Sequence, residues 1–228
     1  MTMSTFAFIF ARGGSKGLPG KNIRLLGGIP LLGHGIRLAQ SIDRVERVFV
    51  STDDAAIAAV AREYGAEVID RPVELATDTA SEWMAWRHAI GHVRGTLGLT
   101  FDTILSLPAT SPLRNQEDVL RCLDALCDEV EAVITVTPSA RSPYFNMVSE
   151  DGDGFARVVL GDSKFQRRQD VPAVYDVTTV AYVARPDFVL THSSLFEGRV
   201  KAVVVPKERA VDIDDEFDFK VAQALLDT

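Results

Sequence analysis

The 228 residues are 46% hydrophobic and 25% charged, with a mean hydropathy of +0.08, which excludes a disordered, collagen-like or low-complexity chain. This length suits one large α/β domain or two small ones. Lys+Arg of 24 against Asp+Glu of 32 leaves a net charge of −8, so nucleic acid and anionic membrane are poor partners and only locally concentrated positive charge could bind an anion.

The first apolar run, residues 6–10, is too short to span a bilayer. No cationic segment precedes it, so no secretory leader is expected. Further strands are expected at 48–51, 67–69, 103–107, 132–136, 180–184 and 202–205. Helices are expected at 30–41, 54–64, 81–94, 116–127 and 215–226. Pro30 suits a first helical position, Gly65 suits a helix end, and Asp53 or Asp54 can cap the second helix. Apolar strands alternating with helices imply a mostly parallel sheet covered on both faces. Ligands of such sheets sit at the strands' carboxyl ends, so the turn after the first strand is the first candidate site.

Residues 138–172 break this rhythm with Arg141-Ser142-Pro143 and Asp151-Gly152-Asp153-Gly154, followed by a short strand at 155–160. They read as a hairpin-bearing insertion in a single domain spanning 1–228: a surface excursion, a dimerisation arm or a lid. Cys122 and Cys127, five apart on an expected helix, point to different faces and read as unpaired, buried thiols of a reducing, cytoplasmic compartment.

The turn from Ala11 to Arg24 holds four cations and four glycines in fourteen residues of a net-acidic chain. Glycines let backbone N–H groups approach an anion, and Arg12, Lys16 and Lys21 add full charges around the same point. The chemistry is that of a polyphosphate cradle; the plainer alternative is a flexible turn with solvated lysines. It is not a P-loop: the span from Gly14 to Gly20 is one residue too long, and Asn22 stands where Ser or Thr would hold Mg²⁺. It contains no dinucleotide fingerprint. Gly13-Gly14-Ser15-Lys16-Gly17 matches a hydrolase nucleophile elbow, but that elbow follows a later, central strand.

Near the other end, Asp212 and Asp214 flank Ile213. In an extended segment both carboxylates project to one face, a hard-oxygen pair suited to Mg²⁺. They also read as a helix start, and Asp215 is the residue assigned to capping. His88 and His92 lie four apart on a helix, with no Glu following His88 and no third ligand nearby. Trp83 and Trp86, three apart on the same helix, are expected to pack.

The run Phe8-Ile9-Phe10-Ala11-Arg12-Gly13-Gly14-Ser15-Lys16-Gly17-Leu18-Pro19-Gly20-Lys21-Asn22 resembles the signature loop of the acylneuraminate (CMP-sialic acid) cytidylyltransferases. The resemblance continues in order through Val50-Ser51-Thr52-Asp53-Asp54, residues 71–81, Thr110-Ser111-Pro112-Leu113-Arg114, Arg168-Gln169-Asp170-Val171-Pro172 and Asp212-Ile213-Asp214. It implies a Rossmann-like nucleotidyltransferase fold. It also implies a reaction in which CMP passes from CTP to the anomeric hydroxyl of a 2-keto-3-deoxy sugar acid. Mg²⁺ is the implied cofactor, and the implied assembly is a homodimer through the insertion, with Tyr144 and Phe145 as contacts.

By resemblance, Arg12 and Lys21 contact the triphosphate, Lys21 stabilises the transition state, and Asp212 joins them as catalytic metal ligand beside Asp214. Gly13, Gly14, Ser15 and Lys16 cradle phosphates. Asn22 and Arg71 help read the nucleotide, and Asp78, Thr79, Ala80 and Ser81 shape the base and ribose pocket. Many members have a second serine where this chain has Glu82. Thr110, Arg168, Gln169, Thr178 and Tyr182 are expected at the sugar, where an Arg168 fork would match a carboxylate; Arg168 reads equally as a solvated surface residue. Users of N-acetylneuraminate generally carry Gln-Pro before Thr-Ser-Pro, where this chain has Pro108-Ala109, and Asn-Gly where it has Thr178-Thr179. The expected acceptor is therefore a different nonulosonic acid. A Kdo-type cytidylyltransferase and a catalytically silent nucleotide-binding regulator on the same scaffold are the alternatives.

Overall fold

The computed structural model describes residues 3–160, 165 and 167–227, the Arg168 side chain excepted. Strand β1 (Thr5–Phe10) is buried along almost its whole length. Its alternate residues serve two covered faces: Ala7 and Ile9 join one core, Phe6 and Phe8 the other. A tight hairpin of β2 (Leu25–Leu26) and β3 (Ile29–Pro30) follows, turning through Gly27 and Gly28 at φ 57° and 79°. Then come α1 (Leu31–Gln40), β4 (Val45–Thr52), α2 (Ala55–Glu63), β5 (Glu67–Asp70), α3 (Glu82–Gly91) and β6 (Thr103–Ser106). α4 (Gln116–Ala125), β7 (Ala132–Pro138), β8 (Val148–Glu150), β9 (Ala156–Val158), β10 (Tyr175–Ala184), α5 (Pro186–Thr191), β11 (Val200–Val204) and α6 (Glu216–Leu226) complete the order.

Seven strands form one sheet in the order β11-β7-β10-β6-β1-β4-β5. β10 alone runs antiparallel to its neighbours. From β1 the chain builds outward through β4 and β5, then crosses back to β6 on the other side. Such a reversal opens a crevice at the strands' carboxyl ends.

On one face α1, α2 and α4 supply Leu32, Ile36, Ile57, Val119 and Leu123. On the other, Phe6 stacks on Phe101 at 4.8 Å and Phe8 on Phe49 at 5.3 Å, beneath Trp86 and Ile90 of α3. A third, small core joins Leu18 of the glycine turn to Ile213 and to Phe219 and Ala222 of α6. Arg24 covers the Phe219 ring at 4.0 Å and pairs with Glu216. This cluster brings the two ends of the chain together.

The expected elements form, with shifted ends. Asp54 caps α2, accepting from the N–H groups of Ala56 and Ile57, and Gly65 follows at φ 81°. Pro30 is the residue before α1 rather than its first turn, because its carbonyl side closes the β2–β3 hairpin. The Asp151–Phe155 turn joins β8 and β9 into the expected hairpin, with the Asp151 carboxylate accepting from the N–H groups of Asp153 and Phe155. Both cysteines are free. Cys122 is buried, which pushes its thiol up to about 12. Cys127, expected to be buried on the helix, lies beyond the end of α4 and is exposed. No helix of the described residues is long and apolar enough to cross a membrane.

Candidate active site

The crevice lies beyond the carboxyl ends of β1, β4, β5 and β6. After β1, Ala11 donates to the Ser51 carbonyl, and the Gly13 N–H donates to the Asp53 carboxylate at 2.9 Å. Gly14 and Gly20 take φ 68° and 66°, which only glycine adopts cheaply. A Cβ at Gly17 would strike the Asp214 carbonyl oxygen, so this glycine is required for close approach. The turn closes on the short 3-10 helix Lys21–Ile23, where the buried Asn22 donates its amide to the Arg12 carbonyl at 3.0 Å. Asn22 thus holds the turn's shape.

The charges meet as anticipated at the two ends of the chain. Lys21 Nζ lies 2.9 Å from Asp214 Oδ1, with the lysine side chain 11% exposed and the aspartate 76%. Ile213 donates to the Thr110 carbonyl at 2.8 Å, tying residues 211–214 to the loop after β6. A cavity of about 400 Å³ is lined by Arg12, Ser15, Lys16, Lys21, Thr110 and Asp214. Arg12 Nη1 donates to Asp78 Oδ1 at 2.7 Å, and Lys16 pairs with the other Asp78 oxygen. These two cations hold the Asp78 carboxyl below its ordinary range.

Arg12 also opens onto a second cavity, of about 240 Å³, lined with Phe10, Arg71, Leu75, Thr77, Ala80 and Glu82. Arg71 is buried, and burial lowers its pKa. It donates from Nε to Ser51 Oγ and from Nη2 to the Ser51 carbonyl, 2.7 Å away. Its guanidinium sits 5.7 Å from the Phe10 ring centroid. Thr79 is exposed, with its hydroxyl 3.4 Å from that of Thr77. Ser81 precedes α3 without a side-chain cap bond.

Tyr182 lies on β10 opposite Ser106. Burial, with Glu82 and Asp212 nearby, pushes its phenol up to about 12. With Glu82, Trp83, Trp86 and Leu195 it lines a smaller aromatic pocket next door. Trp83 and Trp86 do pack, stacking at 5.6 Å. The rings of His88 and His92 lie 6.4 Å apart, and among the described residues no third metal-ligating side chain joins them.

Two residues expected at the sugar do not line these cavities. Thr178 is buried and donates its hydroxyl to Thr135 Oγ1 at 2.8 Å, inside the sheet. A bulge between Thr178 and Tyr182 instead brings the Thr179 hydroxyl to that of Ser111, 2.6 Å away. Gln169 is exposed on the turn Arg168–Asp170, outside the cavities described. The Arg168 side chain lies outside the described residues.

A family model described as cytidylyltransferase matches residues 6–216. The chain belongs to the cytidylyltransferase family. A post-translational flagellin modification protein B of Campylobacter coli is 35% identical, over 96% of this chain and 93% of that protein. A CMP-N,N'-diacetyllegionaminic acid synthase of Campylobacter jejuni is 33% identical, over 96% and 93%. Among solved structures, a CMP:2-keto-3-deoxy-manno-octonic acid synthetase complexed with CTP superposes with a TM-score of 0.71 at 18% identity, covering 98% of both chains; this likeness is one of fold.

In this cytidylyltransferase the structure adds residues that sequence reasoning missed. Asp53, which carries no assigned site role in the sequence reading, accepts from the Gly13 N–H, while its neighbour Asp54 is the cap of α2. Arg114 is fully enclosed beside Asp212 and Asp118, donates to the Pro108 carbonyl, and is pulled down to about 9 by burial. One oxygen of Asp212 is buried without a hydrogen-bond partner among the described residues. Glu82, noted only as a departure, stands between the two side cavities. Its carboxyl, exposed by area yet crowded on most sides, is raised chiefly by loss of solvent.

Proposed function

We propose that this cytidylyltransferase transfers CMP from CTP to the anomeric hydroxyl of a nonulosonic, 2-keto-3-deoxy sugar acid and releases pyrophosphate. The observation that carries this reading is the Lys21–Asp214 contact, which brings a cationic glycine turn and an acidic residue from the far end of the chain to one cavity. The named relative that makes a CMP-legionaminic acid points to the acceptor class. The replacements at Pro108-Ala109 and Thr178-Thr179 favour an acid other than N-acetylneuraminate.

In this mechanism the anomeric oxygen bonds to the α-phosphorus as the bond to the β-phosphate breaks, and charge grows on the departing pyrophosphate. Fixed cations lower that barrier because they are oriented before charge develops. Lys21 and Arg12 border the larger cavity as those cations, and the Gly14–Gly17 backbone offers N–H donors. Lys16 begins on Asp78 and is free to exchange that carboxylate for phosphate.

The donor set at 212–214 fits a hard divalent cation: Asp212 has a buried oxygen without a partner among the described residues, and Asp214, paired with Lys21, is 76% exposed. Bound by Asp212 and Asp214, Mg²⁺ would neutralise phosphate charge. We assign the reaction to the cytoplasm, where CTP is made. The exposed Met147, Val148 and Phe155 of the hairpin insertion favour a homodimer through that arm.

The test is pyrophosphate release from CTP and Mg²⁺ with a panel of acids: N-acetylneuraminate, its deaminated counterpart, an N,N'-diacetylated 9-deoxy acid and an eight-carbon acid. Turnover with a nonulosonic acid above that with N-acetylneuraminate is expected. CTP binding without turnover of any acid would refute the reading and favour a silent nucleotide-binding protein. Preference for the eight-carbon acid would favour the Kdo-type reading.

A further inference from the structure

We propose that Glu82 reads the 4-amino group of the nucleobase and so makes this site choose cytosine over uracil. The inference rests on the assignment of CTP as donor substrate.

The cavity that Glu82 borders adjoins the phosphate-facing one and shares Phe10 and Arg12 with it. Its volume of about 240 Å³ is near the lower limit for small-molecule sites and leaves room for a single pyrimidine ring. Phe10 supplies an aromatic wall, stacked on Trp86 at 6.0 Å. The polar walls are complementary in kind. Arg71 is fixed by Nε and Nη2 on Ser51, and its Nη1 takes part in no hydrogen bond among the described residues. Glu82 opens α3, and Trp86, one helical turn later, donates Nε1–H to its Oε1 at 3.1 Å. That bond orients the carboxylate, and Oε2 takes no hydrogen bond among the described residues.

A guanidinium only donates, and an ionised carboxylate only accepts. The pairing edge of cytosine carries one amino donor beside two acceptors, N3 and O2. An arginine on one side and a glutamate on the other match that order. Uracil keeps the O2 acceptor but inverts the other two positions, presenting O4 to the carboxylate and an N3 donor to the guanidinium. Glutamate accepting from the cytosine amino group is a known pairing whose loss costs on the order of tenfold to a hundredfold in discrimination. The Trp86 bond has a further consequence. In Glu82→Gln the indole would hold the amide oxygen and turn the amide nitrogen, a donor, toward the base.

The experiment measures kcat/KM for CTP and UTP with the same acceptor acid in the parent, Glu82→Gln and Glu82→Ala. The parent is expected to favour CTP, and the CTP:UTP ratio to fall at least tenfold in both variants. Should a variant fail to fold, the parent is assayed with the CTP analogue carrying hydrogen in place of the 4-amino group; a loss of at least tenfold is expected. A ratio within about threefold of the parent's in both variants, or equal use of the analogue, would overturn the proposal. Equilibrium binding of CTP and UTP, read from quenching of Trp83 and Trp86, repeats the comparison without an acceptor. A protein that binds CTP over UTP through Glu82 yet turns over no acid would refute the proposed reaction and leave this inference standing.

Discussion

Replacing Lys21 by alanine is the most direct test of the chemistry. The Lys21 side chain is 11% exposed and its ammonium is held 2.9 Å from Asp214, so it is aimed before substrate arrives. Removing one preorganised donor to a developing charge costs about 2.7–4 kcal/mol. The cavity it borders is open to solvent, so we take ~3 kcal/mol, which is roughly a 150-fold loss of kcat at 1.36 kcal/mol per tenfold. Ground-state contacts with the triphosphate are weaker, so KM for CTP should rise less than about tenfold. Folding should survive. Asp214, left without its partner, is 76% exposed and solvates itself, so Tm should move by no more than about 4 °C. Pyrophosphate release at saturating CTP and acceptor reads kcat, and a thermal melt reads the fold. A Lys21→Ala protein with parental Tm and a kcat within about threefold of the parent would refute the assignment of charge stabilisation to this residue.

Three other outcomes follow from the same geometry. Asp212→Asn should raise the Mg²⁺ concentration for half-maximal activity by about 10-fold or more with little change in Tm; an unchanged Mg²⁺ titration would remove Asp212 from the metal site. Arg209→Ala strips the bidentate partner, at 2.7 and 2.9 Å, from the fully buried Asp118. Because Arg209 stays partly exposed, a loss near the low end for a broken buried pair, ~3 kcal/mol or about 6–12 °C in Tm, is expected in a chemical or thermal melt. His34 is held neutral by burial, against the opposing bond to the Leu26 carbonyl, so its pKa lies below the ordinary 6.5. The unfolded chain then binds a proton that the folded one refuses, so stability falls as pH drops below about 6.5. Tm measured at about pH 7.5 and about pH 5.5 should differ less in His34→Gln than in the parent; an equal difference would exclude His34 as a source.

Much of the site was legible because its chemistry is local. The glycines and cations of 11–24 lie within one turn, and strand periodicity put that turn at a carboxyl end. Asp54 and Asp215 were readable as caps because a cap needs only the next three residues. Thr178 and Thr179 were not separable in the same way. Adjacent strand residues face opposite sides, and the bulge before Tyr182 decides which hydroxyl meets Thr135 and which meets Ser111. Cys127 was misplaced because α4 ends at Ala125, two residues before it.

The sequence by itself determined the alternating architecture, the anion-binding character of the first turn and the family, since each depends on residue types at short spacing or in a fixed order. Only the tertiary structure decided which distant groups share a cavity. Leu18 and Ile213 bury against α6, and that apolar contact draws Lys21 to Asp214 across 193 positions of chain. Glu82 faces Arg71 because α3 and the end of β5 border the same crevice. Burial of apolar surface has no direction along the chain, so it joins residues that no spacing rule connects.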